Sequence, residues 1–310
     1  MTQEHLPVLF HEVLFLLQPQ RDGRYIDGTV GAGGHTAGIL EESAPSGRVL
    51  AFDRDPNAIS YAQERLAKFG ERITFVNASY DQMGQLAPQM GFQRPDGILL
   101  DLGLSSRQLN DPERGFSFMK EGPLDMRFDP TQGETAADLI NNLTEAELAK
   151  MFWEYGEDEN SRHIARLVVQ NRPFTTTTQL AETIAANSRS QKHIHPATQV
   201  FQALRIAVNH ELDIVARGLQ AAIELLGPGG RLAVISFHSL EDRIVKQTFR
   251  HLSQDRTPPP GYPQTEDNGP PTLCLLTRKA IQASPAEINQ NPRSRSARLR
   301  VVEKLETKEK

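Results

Sequence analysis

The chain has 310 residues, about twice the length of a typical single domain, with 38% hydrophobic and 24% charged residues. That balance excludes a helical membrane protein and wholesale disorder, because the longest apolar runs, such as residues 13–17, fall far short of the roughly 20 residues that cross a bilayer. Cys274 stands alone, so a disulfide framework and a cysteine-rich zinc site within the chain are excluded. No basic n-region precedes an apolar stretch at the start, and the expectation is a cytoplasmic globular protein.

The net charge of −5 conceals a segregation. Residues 1–159 hold thirteen Lys/Arg against twenty-six Asp/Glu; residues 160–210 hold six basic groups and Glu182; residues 293–310 hold seven basic and three acidic groups. Two basic islands on an acidic body are either solvated faces or local contacts for a polyanion.

In chain order, the apolar spacing of residues 8–17 predicts a lead-in helix ending before Pro19. Residues 25–27 form a short predicted strand running into a glycine-rich turn, followed by a helix over 35–42. A second strand covers 48–53, and Pro56 opens a helix reaching about Phe69. Strands at 72–77 and 96–102 complete a β-α-β-α-β order, which implies a parallel doubly wound sheet. From about Asn110 to Asn209 only helical patterns occur. One begins at Thr144, with Glu147 completing a capping box, and others run over 158–170, 177–187 and 196–208. A helix over 211–226 precedes a strand at 230–237, and a further helix covers 241–252. The stretch 255–271, with six prolines, reads as a loop, and 272–277 and 297–303 as closing strands. The expected organisation is an α/β domain made of residues 1–109 and 210–310, interrupted by a helical substrate-recognition domain at 110–209.

The first βα turn reads Asp27-Gly-Thr-Val-Gly31-Ala-Gly33-Gly34-His35. Its glycines let the backbone approach a ligand at a helix N-terminus. A nicotinamide fingerprint requires glycine at position 36, where Thr36 stands; the pattern suits an adenosine carrying an amino-acid tail. Asp53 ends the second strand where an acid commonly meets ribose hydroxyls, or else it caps the turn before Pro56. Asn77 to Tyr80 follow the third strand, where Tyr80 serves as a stacking ring or packs in the core. Asp101 ends the fourth strand at the carboxyl edge where open α/β sheets bind ligands. Together these features point to S-adenosylmethionine.

The stretches 25–36, 53–56, 97–109, 113–129, 196–212, 229–246 and 291–300 resemble the MraW/RsmH methyltransferases, which modify a cytosine N4 in bacterial small-subunit ribosomal RNA. The resemblance spans nearly the whole chain and implies a Rossmann-like class I methyltransferase sheet with an inserted helical domain. It places Gly33, Gly34, His35, Asp53, Tyr80, Asp101 and Gln108 at S-adenosylmethionine, and it makes 16S ribosomal RNA at the decoding region, or the assembled small subunit, the partner. Ala32 stands where a basic residue is common and Arg107 where proline is common. The activated methyl asks the protein to align donor and amine and to accept the amine's hydrogen bonds. Asp101 is the candidate acceptor, with cofactor binding alone as the alternative. His238 either contacts the target base or lies beside a helix capped by Ser239. Phe116, Phe118 and Met119 are expected in the core, the alternative being a platform for an extruded base. Arg162, Arg166, Arg172, Arg189, Lys192, Arg293, Arg295 and Arg298 are the candidate RNA contacts, and His193 and His195, without a third ligand, are not expected to hold a metal. A nicotinamide dehydrogenase and a non-catalytic ribosome-assembly factor are the competing functions.

Overall fold

The computed structural model describes residues 7–187, 195–256 and 269–306. Arg189, Lys192, His193 and most of the proline-rich stretch 255–271 lie outside them. Two compact units result, one formed by residues 1–103 and 213–310 and the other by 104–212. The sequence boundaries were expected at 109/110 and 209/210.

The first unit is built on seven strands: β1 (Arg24–Asp27), β2 (Arg48–Asp53), β3 (Ile73–Asn77), β4 (Gly97–Asp101), β5 (Arg231–Ser236), β6 (Leu273–Leu275) and β7 (Arg298–Lys304). Their order is β3-β2-β1-β4-β5-β7-β6. The first five strands run parallel, while β7 pairs antiparallel with both β5 and β6. Strand order reverses between β1 and β4, which creates the crevice where doubly wound sheets take ligands.

Alternation along each strand explains why both sheet faces are covered. Ile26, Leu50, Phe52, Ile98, Leu100 and Val234 point to one side and pack with Val215, Leu219, Val245 and Phe249 from helices Glu211–Leu225 and Ser239–Leu252. Tyr25, Val49, Ala51, Leu99 and Ile235 point to the other and meet Val13, Leu17, Ile39, Leu40 and Ile59 from helices Phe10–Leu17, Gly34–Glu42 and Pro56–Arg65. The third of these helices stops at Arg65, short of the expected Phe69, because the chain tightens into a 3₁₀ segment containing Gly70 at φ 56°.

The second unit is helical, with Phe152, Ile164, Val168, Phe174, Leu180 and Leu204 in its own core. Helix Glu145–Glu154 starts at the expected capping box, where Thr144 and Glu147 exchange hydrogen bonds. Helix Ser161–Gln170 buries Ile164, Ala165, Leu167 and Val168 and turns Arg162 and Arg166 outward. A short helix, Ala136–Asn142, was not anticipated; Thr135 and Asp138 cap it by the same reciprocal device. Of the aromatic run, Phe116 is buried against Phe128 and Phe118 packs on Phe201, but Met119 is 82% exposed, which corrects its expected core position. Among the described residues no helix is long and apolar enough to cross a membrane.

Candidate active site at the carboxyl edge of the sheet

The site begins with an acid that ends an apolar strand. Asp27 is 1% exposed; its Oδ2 accepts from the Thr36 hydroxyl at 2.6 Å and its Oδ1 from the Thr29 amide at 3.0 Å. Burial lifts its pKa to about 6. Thr36 therefore does more than break a nicotinamide fingerprint, since glycine offers no hydroxyl to this carboxylate. The Thr29 hydroxyl also accepts from the Asp101 amide at 2.7 Å, tying the end of β4 to the turn after β1.

The turn bends through Gly31 at φ 49° and Gly33 at φ 78°, left-handed values that a side chain resists. Gly33 caps helix Gly34–Glu42 without a side-chain hydrogen bond, leaving the donors of that first turn to the helix end itself. Gly34 also serves packing: a Cβ there would stand 2.4 Å from Pro7.

Asp53, half-buried at the end of β2, accepts from the Gly31 and Asp55 amides, both at 2.9 Å. This geometry braces the turn before Pro56, and each carboxylate oxygen retains a lone pair. Burial, with Asp55 and Asp27 adding to it, raises its pKa to about 6. Asn77 donates to the carbonyls of Asp53 and Arg54 and so fixes the neighbouring loop. Tyr80 is 9% exposed, with its ring seated against Gly28 and Gly218; it belongs to the core of the first unit.

Asp101 ends β4 with its Oδ1 buried and unpartnered. Its pKa is pushed up to about 8, chiefly by burial and then by the charges of Asp27 and Glu241. His35, 6% exposed and stacked on Phe10, directs Nε2 to 3.9 Å from Asp101 Oδ2, beyond hydrogen-bond length. The backbone of Val8 also interacts with the ring. Burial depresses its pKa to about 4, so the imidazole is neutral and supplies no cation. Ser79 Oγ is likewise buried without a partner. Among the described residues no Lys or Arg pairs with Asp27, Asp53 or Asp101.

His238, rather than Ser239, is the N-cap of helix Ser239–Leu252, accepting through Nδ1 from the Glu241 amide at 3.4 Å. A β-region backbone at His238 brings its ring over the first turn, which sequence alone does not reveal. Its Nε2 lies 3.2 Å from Oε1 of Glu241. Glu241 is 1% exposed and also accepts from the Phe237 amide at 2.8 Å. In the second unit, Gln108 closes a capping box with Ser105 at the start of helix Ser106–Asn110. That gives Gln108 a local structural duty the resemblance did not imply.

The basic residues divide by what they already touch. Arg162, Arg166 and Arg295 are exposed, Arg166 lying 3.4 Å from Glu145 across the surface. Arg172 is half-buried and donates to the carbonyls of Ile140 and Leu143, where it caps helix Ala136–Asn142. Arg298 pairs with Asp242 at 3.0 Å, beside Arg300 on the same carboxylate, which commits it to β7. Arg293 is half-buried in the 3₁₀ turn before β7. Sequence reasoning placed Asp27 in the motif but missed its role; a charged residue closing an apolar strand before a glycine turn was the available signal.

A parallel sheet with an antiparallel β7, a glycine turn after β1 and buried acids at its carboxyl edge is the Rossmann-like architecture of a class I methyltransferase. Residues 2–305 match the MraW methylase family, and the chain belongs to that family. It is 52% identical to the ribosomal RNA small subunit methyltransferase H of Thermomicrobium roseum, covering 98% of this chain and 95% of that one. The proteins of the same name from Geobacter sulfurreducens and Magnetococcus marinus are 49% and 50% identical, each covering 98% of this chain and 100% of the relative.

Proposed function

We propose that this methylase uses S-adenosylmethionine to methylate small-subunit ribosomal RNA, at the N4 amine of a cytosine in the decoding region. The relatives' shared name supports the substrate class, and the buried acids without cations at the carboxyl edge support the cofactor. The observation that carries the reading is the orphaned Asp101 Oδ1 beside a buried, neutral His35. Buried polar atoms normally find partners, so this oxygen awaits a polar, cationic ligand.

In this reading the turn at Gly33 and Gly34, with His35, seats the amino-acid tail, and Asp53 accepts from ribose hydroxyls through its remaining lone pairs. Tyr80 shapes the wall beside the adenine. When bound, S-adenosylmethionine supplies a methyl already activated by a sulfonium. The protein's task is orientation and proton handling. A cytosine amine is a weak nucleophile because its lone pair is delocalised into the ring. Asp101 accepts a hydrogen bond from that amine, increases its nucleophilic character and takes the proton released on transfer, a role matched by a pKa of about 8. His238, accepting through Nδ1 from the Glu241 amide, braces the turn after β5. The helical unit recognises substrate, and Arg162, Arg166 and Arg295 meet RNA phosphates.

The test is transfer of labelled methyl from S-adenosylmethionine to small subunits and to free RNA, followed by mass mapping of the product. A single N4-methylcytosine in the decoding region is the expected result. Label at another base or atom overturns the specificity, and no transfer to either substrate overturns the enzyme.

A further inference from the structure

Helix Ser239–Leu252 starts where β5 ends, so its first turn lies at the carboxyl edge of the sheet and the rest runs away from it. Its acids are used inside the fold: Glu241 is buried at the cap, and Asp242 is buried where it meets Arg298 and Arg300. Its exposed charged side chains are all cations, Arg243, Lys246 and Arg250, with His251 after them. At about 100° per residue the three cations fall within about 60° of one another around the helix axis. They are turned away from Val245 and Phe249, which are buried in the core.

This face is a property of one helix rather than of the whole unit. Helix Glu211–Leu225, packed into the same core, exposes Asp213 and Glu224 around Arg217, and helix Gly34–Glu42 exposes Glu41 and Glu42. Among the described residues neither Lys246 nor Arg250 has an ion-pair partner. Two neighbours add charge of the same sign. Arg298 and Arg300 share the one carboxylate of Asp242, which leaves one positive charge in excess where β7 meets the helix. Past the last turn Arg256 donates to His251 Nε2 at 2.8 Å, with Asp255 the exposed acid beside it. Over residues 211–292 these cations disappear into a balance of eight basic and nine acidic groups, so composition hides them.

We propose that this face is a phosphate track, in which Lys246 and Arg250, with Arg243 nearer the carboxyl edge, hold the backbone of an RNA strand on the first unit. The inference rests on the RNA-substrate reading and gives the unit that carries the chemistry an RNA surface of its own. The three cations span about 10 Å of helix. Phosphates of one strand repeat about every 3.4 Å along a duplex axis, so successive phosphates come within reach of successive side chains. Such contacts fix register and orientation without reading sequence. Lys246 and Arg250 are therefore positioning residues, and the track leads an RNA strand toward the strand ends where the site lies.

The experiment is a salt titration of the full chain binding to protein-free small-subunit ribosomal RNA and to assembled small subunits, with wild type compared against the double variant Lys246→Gln, Arg250→Gln. The double variant is expected to bind RNA about ten-fold or more weakly at low salt and to lose about two phosphate contacts from the salt slope. Its affinity for S-adenosylmethionine, read by calorimetry, is expected to match wild type, which separates positioning of RNA from damage to the fold. In wild type, bound RNA is expected to shield Lys246 from an amine-acetylating reagent, while the exposed Lys68, beside Glu41, still reacts. An unchanged slope or an unshielded Lys246 overturns the track. A loss confined to assembled subunits, with an unchanged slope on protein-free RNA, assigns the face to ribosomal protein and overturns it as well. Binding of wild type to subunits alone does the same, because phosphate contacts do not depend on sequence. If wild type binds neither, the RNA reading itself has failed. Should the double variant not fold, the shielding of Lys246 in wild type still decides the claim.

Discussion

Asp101 and Asp242 stand in the same unit and differ in one respect: what faces them. Asp242 lies on helix Ser239–Leu252 with Arg300 at 2.7 Å and Arg298 at 3.0 Å, and these guanidinium groups hold its carboxyl below the usual range despite burial. Asp101 has a neutral histidine and two further acids, and its pKa moves the opposite way. The first arrangement spends its electrostatics on folding. The second leaves a buried carboxylate oxygen without a partner at the rim of the sheet, and in the proposed function a cationic ligand meets it.

Breaking the second arrangement has the largest functional consequence. Asp101→Ala is expected to lower methyl transfer by about 100-fold or more, the usual scale for a group that handles the transferred proton, while leaving the melting temperature intact or raised. Labelled-methyl assays beside thermal melts check both halves. Breaking the first has the opposite signature. Asp242→Ala leaves Arg300, only 12% exposed, without its counter-charge and is expected to destabilise by about 3 kcal/mol in denaturant titration.

The two acids also diverge with pH. A carboxyl held low in the fold, as at Asp242, contributes stability above its unfolded value of about 4 that is lost as pH falls through the folded value. Asp101, held high, contributes stability below about pH 4 that is lost as pH rises to about 8. Stability of the ligand-free chain is therefore expected to decline between pH 5 and 8, and Asp101→Asn to flatten that decline, as denaturation midpoints across this range will show.

The smallest effects concern the basic residues. Reversing Arg162 and Arg166 is expected to leave stability within about 0.5 kcal/mol of wild type and to reduce the salt slope of RNA binding by about two phosphates. Arg172→Ala reverses that pattern, with about 1–2 kcal/mol lost from the helix cap and an unchanged slope. Equal slopes in all variants sink the insert as an RNA surface.

Much of this molecule was legible in the sequence because its signals are local. Alternating apolar runs, the capping box at Thr144 and Glu147, and the glycine turn before His35 each specify backbone geometry within a few residues. The site's positions were legible for the same reason, since Asp27, Asp53 and Asp101 all end strands that the pattern identifies. Their electrostatic character was not. Whether an acid is paired depends on groups far along the chain: Asp242 meets Arg298 and Arg300 only because β7 folds back beside β5, and Arg172 is spent because a helix thirty residues earlier ends beneath it. The sequence by itself determined the strands, most of the helices, the glycine turn and the family. Tertiary structure alone decided which charges cancel and which remain, because burial and pairing arise from contacts between segments that no local pattern encodes.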